Sequence, residues 1–504
     1  MKAQESINGI SDKLLLIPLV GTLIIFIIKL ISFSGILYKK SASVINLGDM
    51  TMHTSFLFFL EKYGFHSIVP AWYDGFQLFH LYAPGWYFFT LPIYKLFSNI
   101  NLVILISYIA MLVLGLIASL LLGKYKNFTI IESLTFFVLF FMNPITIDYI
   151  FLNGRFPEFF AWVIFIFLLA VLSFYEHNKS NKYSLFFLTI ILSILIISHP
   201  YVSLLGLLLT FLIFLIVRKK NKYHIISAVI LSFILTSFWW VPFLQGILSF
   251  PSEVIQITAY QKGQLLDLKN SLISFNTATL LSWLFIFYIY LKNSEITKKQ
   301  KIFYYPLIAL SLLILFRITP FLPFLDQIPP NSYNLFYVSL SLVTLFKLKN
   351  IPPKIKKILT ILLVILPLLS FIIIFHIRPQ ESLEFTQKEM TIIELIPKIE
   401  GKYMFLDSNL PHVAPKNIIS IATQEYNLFT PTGIYYPATP KRTYELVEKI
   451  NKNLKDGNCR ELSENLNSLG IRTSISQKQS NCEVLKQCNF KQVYSDEDVC
   501  MYLN

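Results

Sequence analysis

The residues with the clearest capacity for chemistry lie near the start of the chain, at Asp49 and His53. Asp49 follows a glycine and opens a run with helical spacing, so His53 falls one turn later on the same helix face. A carboxylate in this position can act as a general base and take a proton from a substrate hydroxyl. In the alternative interpretation, Asp49 only caps the helix and His53 is an ordinary polar helix residue.

Further along the chain, Arg155 and Arg317 are suited to binding phosphate. The guanidinium group offers a fixed fork of donors that matches phosphate oxygens, although both side chains could instead reach lipid headgroups. Glu158 can pair with Arg155 on one helix face, which is its ordinary role, or bind substrate hydroxyls. His199 immediately precedes Pro200, where ending a helix is the ordinary role and contact with substrate is the alternative.

Two further acids, Asp74 and Asp148, are reserve candidates for the base. Carboxylates near His53 could hold a divalent metal ion, because hard cations bind carboxylate oxygens. No ligand spacing in the sequence predicts such a site.

The elements that must position these residues are predicted to be membrane helices. Hydrophobic residues make up 55% of the 504 and charged residues only 14%, whereas soluble domains have roughly 25% charged residues. Apolar runs such as 14–28, 197–217 and 358–375 approach or exceed the roughly 20 residues that cross a bilayer as a helix. Helices are expected because lipid leaves unpaired backbone groups without partners.

Eleven runs bounded by charge or proline are predicted to span the membrane, at residues 14–34, 101–122, 131–150, 157–175, 183–199, 201–217, 225–244, 272–291, 302–317, 333–347 and 358–376. The first run lacks a small-residue cleavage pattern and is predicted to be a retained span. Residues 84–97 are apolar but too short to span, so we predict a re-entrant or interfacial helix on the outer face.

Basic residues concentrate in alternate loops. Residues 1–377 hold 28 Lys and Arg against 13 Asp and Glu, whereas residues 378–504 hold 15 against 16. With a cytoplasmic N-terminus, 19 of those 28 basic residues lie on the cytoplasmic side, as the positive-inside rule predicts. The net charge of +14 therefore indicates topology and not nucleic-acid binding. An odd number of spans places the C-terminal region outside, and Asp49 and His53 are expected to face outward on the same side.

Residues 378–504 are predicted to form a small extracytoplasmic α/β domain after a helical membrane domain of residues 1–377. Its predicted strands are 402–408, 418–426, 432–438 and 499–504, and its predicted helices are 443–455 and 459–469. It contains every cysteine of the chain, namely Cys459, Cys482, Cys488 and Cys500. An exported segment can form disulfides, and four free buried thiols are the alternative. The spacings do not match a CxxC zinc site.

Several short motifs occur together in a characteristic order: Gly48-Asp49…His53, Trp72…Gly75…Tyr82-Ala83-Pro84, Gly154-Arg155-Phe156-Pro157-Glu158, His199-Pro200 and the tail LNSLGIRTSIS…FKQVYSDEDVCMYL. Their order resembles the GT-C superfamily, the membrane glycosyltransferases that use polyprenyl-phosphate sugars. The chain is more closely similar to the prokaryotic 6-pyruvoyl-tetrahydropterin synthase-related membrane proteins. It lacks the WWDYG motif of oligosaccharyltransferases, to which residues 72–75 are only a partial match.

The resemblance implies that an acidic residue, here Asp49, acts on the donor or the acceptor at the outer face. We expect Asp49 and His53 to be catalytic. The expected substrate-binding residues are Trp72, Tyr82, Arg155, Glu158, His199 and Arg317. The expected reaction moves one sugar, with inversion, from a polyprenyl-phosphate donor to a glycan, lipid or protein acceptor outside the cytoplasm.

Two other functions remain open, a lipid or polysaccharide transporter and a non-catalytic membrane assembly factor. The predicted spans carry almost no charge at mid-membrane positions, with Lys29 as the nearest exception. Transport pathways usually place ionisable residues there. No internal repeat is apparent either, which disfavours transporters built from duplicated halves.

The predicted topology can be tested by thiol labelling of intact cells. After mild reduction, a membrane-impermeant maleimide should react with the four cysteines from Cys459 to Cys500. A Lys220→Cys variant, in a predicted cytoplasmic loop, should react only after permeabilisation. The reverse pattern would show that the orientation is inverted.

Overall fold

In the computed structural model, the residues described are 12–39, 49–97, 99–151, 153–177, 182–249, 275–293, 297–322, 325, 330–348, 355, 358–359, 386–406, 416–434 and 439–504. The chain is mainly helical, as the sequence predicts. The last predicted span, 358–376, lies outside the described residues except for 358–359.

The first part of the chain holds fourteen described α-helices and one short hairpin. The helices before the first long loop are α1 (Asp12–Lys39), α2 (Met50–Tyr63), α3 (Gly85–Phe97), α4 (Ile100–Lys126), α5 (Ile130–Phe141), α6 (Pro144–Phe151), α7 (Phe156–Glu176), α8 (Lys182–Ser198) and α9 (Pro200–Ile216). They are followed by α10 (Lys219–Leu235), α11 (Ser237–Ser249), α12 (Phe275–Asn293), α13 (Lys298–Leu315) and α14 (Pro330–Phe346). Strands β1 (Ile68–Val69) and β2 (Phe76–Gln77) form an antiparallel pair between α2 and α3.

By length and composition, three described helices can cross a membrane: Leu15–Gly35, Ile100–Lys126 and Phe156–Glu176. A fourth span results if Lys219–Leu235 and Ser237–Gly246, which meet at 68°, act as one. Five further apolar helices have 10–17 residues. Helices thus occur at the sites of the first ten predicted spans, whereas the count of eleven stays a prediction.

The predicted span 131–150 is divided into α5 and α6. The side chain of Asn143 accounts for the break, because its Nδ2 donates to the carbonyl of Phe140 at 2.7 Å and its Oδ1 accepts from the amide of Thr146 at 3.0 Å. These bonds replace helical ones, and the proline at position 144 then begins α6. A similar break separates α10 from α11, where the amide of Trp239 bonds the carbonyl of Thr236 at 3.0 Å.

Helix α7 is the most enclosed of the long helices, with aromatic and aliphatic side chains buried on all its faces. A helix that is apolar all round belongs in the centre of a bundle. Helix α1 differs, because Ile17, Ile24 and Ile31 are exposed. In a membrane protein such apolar surface faces lipid.

The C-terminal part, residues 386–504, contains α15 (Gln387–Leu395), β3 (Lys402–Phe405), α16 (Lys416–Gln424), α17 (Lys441–Asp456), α18 (Cys459–Ser468), β4 (Ile471–Ser476), α19 (Gln479–Gln487), β5 (Lys491–Ser495) and β6 (Cys500–Leu503). The sheet order is β3-β4-β6-β5, with β3 parallel to β4 and the other pairs antiparallel. Helices α17, α18 and α19 cover a separate small core that includes Val447, Leu462 and Leu485.

One strand prediction is wrong, since residues 418–426 lie largely in helix α16. Its β-branched residues are typical of strands, but Ile418, Ile421 and Ala422 are buried at helical spacing. The predicted strand at 432–438 is not formed over residues 432–434, and residues 435–438 lie outside the described residues. The other predicted strands and helices of this part occur at β3, β6, α17 and α18.

Helix α16 packs directly against α2. The hydroxyl groups of Ser55 and Ser420 lie 2.8 Å apart, and Gln424 Nε2 donates to Ser55 at 2.9 Å. Beside them Trp72 Nε1 donates to Thr423 Oγ1 at 2.9 Å. The C-terminal part is therefore joined to the membrane part by buried polar contacts as well as by packing.

The expectation of disulfides is confirmed, and the structure selects one of the three possible pairings. Cys459 pairs with Cys488, with 5.1 Å between the Cα atoms, and Cys482 pairs with Cys500, with 5.9 Å. The first disulfide joins the start of α18 to the end of α19, and the second joins α19 to β6.

Peptide mapping without reductant should recover these two pairings. The double substitution Cys482→Ala and Cys500→Ala should lower the free energy of unfolding of this region by roughly 2–4 kcal/mol, because the unfolded chain gains freedom. Pulse proteolysis of the full chain measures this change. Other pairings, or four free thiols in unreduced protein, would contradict the structure.

Candidate functional site

The amino-terminal ends of α2, α7 and α9 converge around a cavity of about 170 Å³, here called the Asp49 cavity. Its lining comprises Asp49, His53, Tyr82, Arg155, Pro157, Glu158, His199 and Tyr201. Helix amino termini carry partial positive charge, so a cavity between three of them favours anions. These residues lie far apart in the sequence and are brought together by the packing of the bundle.

Asp49 occupies the position just before α2. Its amide donates to the carbonyl of Asn153 at 2.8 Å, and its own carbonyl accepts from the amide of His53 at 3.0 Å. Its side chain makes no capping hydrogen bond to α2. The carboxylate is directed instead towards Arg155, with 3.8 Å between Oδ2 and Nε, and is 38% exposed. This Asp therefore serves as a helix cap through its backbone alone.

Arg155 lies between two carboxylates. Its Nη1 is 3.6 Å from Glu158 Oε2, and its Nε faces Asp49. Both distances exceed the 2.7–2.9 Å that is typical of a direct charge-assisted hydrogen bond. The turn that places Arg155 here depends on Gly154, whose φ of +64° favours glycine. Pro157 then supports the first turn of α7.

Glu158 is the most buried carboxylate of the cavity, with 4% of its side chain exposed. Ser332 Oγ, from α14, donates to Glu158 Oε1 at 2.6 Å. A buried carboxylate is costly unless it is paired and hydrogen-bonded. Arg155 and Ser332 together supply these partners, so the expected ion pair is present and is supplemented by a hydroxyl.

His53 lies behind Asp49 and is only 1% exposed. A hydrogen bond of 2.7 Å joins its Nδ1 to the hydroxyl of Tyr87 on α3. The rings of Tyr82 and Trp86 lie 5.8 and 6.0 Å from the imidazole. The aromatic segment before and within α3 thus encloses most of the His53 ring, which still borders the Asp49 cavity.

His199 lies in the turn between α8 and α9, outside both helices. Its side chain makes no capping hydrogen bond, and its Nδ1 is buried without a hydrogen-bond partner among the described residues. The imidazole lies 5.4 Å from the ring of Tyr201.

Two of the predicted site residues, Trp72 and Arg317, are not among the described lining residues of the cavity. Trp72 is fully buried in an aromatic cluster with Phe56 and Phe59 and donates to Thr423. Its place is the contact between the two parts of the chain. Arg317 lies at the end of α13 with a φ of +58° and does not appear in the described lining.

The reserve acids also have other places. Asp74 forms an ion pair with Lys402 of β3, at the contact with the C-terminal part. The side chain of Asp148 lies outside what the structure describes. Asp49 is thus the partly exposed acid that the described part of the chain brings to this cavity.

Sequence reasoning missed Tyr87, Tyr201 and Ser332. Tyr201 follows the His199-Pro200 pair directly and could have been found from that turn. Tyr87 belongs to the predicted re-entrant segment, but nothing in the sequence connects it with His53. Ser332 is separated from Glu158 by 174 residues, and no local signal points to it.

Within the described ranges, no three His, Cys, Asp or Glu side chains form a cluster suited to a metal ion. The two carboxylates of the Asp49 cavity have a guanidinium between them. These side chains fit an anion held by arginine better than a divalent cation, because the guanidinium and a metal ion would compete for the same carboxylate lone pairs.

The fold is similar to those of an arabinofuranosyltransferase and an oligosaccharyltransferase of known structure. The chain superposes on the arabinofuranosyltransferase AftD from Mycobacteria, in a mutant form, with a TM-score of 0.62 and 12% identity over 99% of this chain and 42% of that one. A second AftD structure gives 0.54 and 10% identity, over 98% and 40%. The oligosaccharyltransferase of Archaeoglobus fulgidus, in its apo form, gives 0.50 and 10% identity, over 90% and 69%.

The chain thus spans less than half the length of the mycobacterial protein. No curated protein matches it in sequence. The family match covers residues 79–382, which is more than half of the chain and includes the loop before α3, the turn into α7 and the His199 turn. The chain belongs to the family described as 6-pyruvoyl-tetrahydropterin synthase related domain, membrane protein.

Proposed function

We propose that this membrane protein is a glycosyltransferase that moves one sugar from a polyprenyl-phosphate carrier to an acceptor hydroxyl outside the cytoplasm. The observation that carries the proposal is the Asp49 cavity, where a partly exposed carboxylate lies beside an arginine at a junction of helix amino termini. The GT-C fold supports a glycosyltransferase as the kind of enzyme. The donor, the acceptor and the outer location are parts of the proposal.

In this mechanism Asp49 takes the proton of the acceptor hydroxyl. The acceptor oxygen forms a bond to the anomeric carbon, and the bond from that carbon to the phosphate oxygen breaks. Its electron pair leaves with the lipid phosphate, and the configuration of the sugar inverts. A carboxylate that is 38% exposed can reach a bound hydroxyl without large rearrangement.

Arg155 holds the departing phosphate in the proposed mechanism. The negative charge on the leaving group grows in the transition state, and a fixed cation stabilises it there more than in the ground state. Glu158 and Ser332 act as positioning residues, since Glu158 pairs with the guanidinium and Ser332 donates to Glu158. The amino terminus of α7 adds a favourable dipole at the same place.

The remaining lining residues are suited to binding the sugar. The rings of Tyr82 and Tyr201 offer flat apolar faces with hydroxyl groups at their edges. His199 can form a hydrogen bond with a sugar hydroxyl through its buried Nδ1. His53 acts indirectly, because its bond to Tyr87 fixes the first turn of α2 and so the position of Asp49.

The substitution Asp49→Asn should abolish most turnover while the fold is kept. Loss of a general base typically costs roughly 10²–10⁴-fold in rate, because the carboxamide cannot accept the proton. The assay is transfer from radiolabelled polyprenyl-phosphate sugars by the purified protein in liposomes. The matched control is Glu61→Gln, an exposed acid on the same helix. Near-normal transfer by Asp49→Asn would remove the base assignment.

The substitution Arg155→Lys should reduce kcat/KM for the donor on the order of 10- to 100-fold, because lysine keeps the charge but loses the fork of donors. Both a higher KM and a lower kcat are expected, since phosphate is bound before and during the reaction. Arg317→Ala is the comparison, and a smaller effect is expected because Arg317 is not in the described lining. An equal or larger effect of Arg317→Ala would show that the donor site extends to α13.

A further inference from the structure

A second cavity, of about 240 Å³, lies at the other end of the bundle. It is called here the Lys126 cavity. Its polar lining consists of Lys126, Ser173, Glu176, Thr297, Lys299, Gln300, Tyr304, Thr344 and Lys347. These side chains belong to the ends of α4, α7 and α14 and to the beginning of α13.

The two cavities are distinct sites. Helix α7 has 21 residues, which at about 1.5 Å per residue gives a length of roughly 30 Å. Its first turn contributes Glu158 to the Asp49 cavity, and its last residue, Glu176, lines the Lys126 cavity. The second cavity is therefore separate from the site of the proposed sugar transfer.

The ionic groups of the Lys126 cavity do not balance among the described lining residues. Lys126 and Lys347 both pair with Glu176, the latter at 3.8 Å, so two lysines share one carboxylate. Only 10% of the Lys126 side chain is exposed. Lys299 adds a third ammonium group at the rim. Excess positive charge around the enclosed Lys126 is unfavourable unless an anion enters.

A helix amino terminus adds to the positive potential of the cavity. Helix α13 begins at the cavity, with Thr297 and Gln300 forming a reciprocal capping box. Its amino-terminal dipole favours an anion near Lys299 and Gln300. The hydroxyl and amide groups of the lining can donate further hydrogen bonds to an oxyanion.

The rest of the wall is apolar. Leu169 and Leu172 of α7 line the cavity together with Leu209, Ile213 and Ile216 of α9. A free inorganic anion makes no use of these apolar side chains, whereas an acyl chain can pack against them. The combination of a cationic end and an apolar wall suits an amphiphile.

We propose that the Lys126 cavity binds the phosphate headgroup of an anionic phospholipid, with an acyl chain along the α7 and α9 wall. Basic pockets between membrane helices on the cytoplasmic side recognise such headgroups. The sequence places the same helix ends on that side, because they adjoin the basic loops.

The experiment uses the full chain, purified in detergent and exposed to phosphatidylglycerol or phosphatidylcholine, with retained lipid counted by native mass spectrometry. The wild type should retain phosphatidylglycerol and release phosphatidylcholine. Lys347→Gln and Lys299→Gln should each weaken retention on the order of tenfold, as expected for the loss of one charged donor. Lys124→Gln is the matched control. Lys124 is exposed at the end of α4 that carries Lys126, but it does not line the cavity.

Circular dichroism and size-exclusion chromatography confirm that each variant is folded before binding is compared. Equal retention of phosphatidylglycerol by the wild type and both lining variants would overturn the proposal. Inorganic phosphate is the second probe. If it binds in a Lys347-dependent manner while phosphatidylglycerol is not retained, the site takes free phosphate and the lipid assignment is wrong.

Discussion

The candidate site depends on the enclosure of α2 between the helical bundle and the C-terminal part. Ten of its residues, from Met50 to Leu60, are buried. On one side His53 bonds to Tyr87 of α3, and on the other Ser55 bonds to Ser420 and Gln424 of α16. Because both neighbours hold the helix, Asp49 at its start has a fixed position. The C-terminal part therefore contributes to the site without lining it.

The ion pairs of Arg155 serve both the candidate site and the stability of the bundle. Glu158 is buried and would be unfavourable without Arg155 and Ser332. Arg155 in turn remains close to Asp49 because the Gly154 turn and Pro157 fix the start of α7. A phosphate that approached Arg155 would meet a guanidinium that is already oriented by its ion pair with Glu158. Such preorganisation is the usual source of transition-state stabilisation, since no reorganisation is needed when charge develops.

Helix α7 carries charged residues only at its two ends. Its interior turns are apolar on all faces, and its charged residues lie at the two ends, at Glu158 and Glu176. Ion pairs with Arg155 and with Lys126 complete the two ends. A central helix in a membrane protein can carry such groups only near its termini, where water or protein partners reach them. The two cavities follow from this distribution of charge.

The sequence by itself determined where helices form and which short motifs carry charge. Apolar runs and their charged boundaries depend on neighbouring residues alone, so the positions of α1, α4 and α7 could be predicted. The same local patterns made Asp49 and the turn from Gly154 to Glu158 candidates, and the structure brings them to one cavity. The cysteines indicated disulfides but not their pairing, because four cysteines allow three connectivities.

Tertiary structure alone decided the roles that depend on distant partners. Trp72 had the sequence context of a site residue, yet its indole bonds to Thr423, 351 residues away. The isoleucines of α16 favour a strand locally, but packing against α2 selects a helix, since burial outweighs intrinsic preference. Ser332 reaches Glu158 across 174 residues. Such contacts are set by the packing of whole helices, and local sequence patterns do not predict that packing.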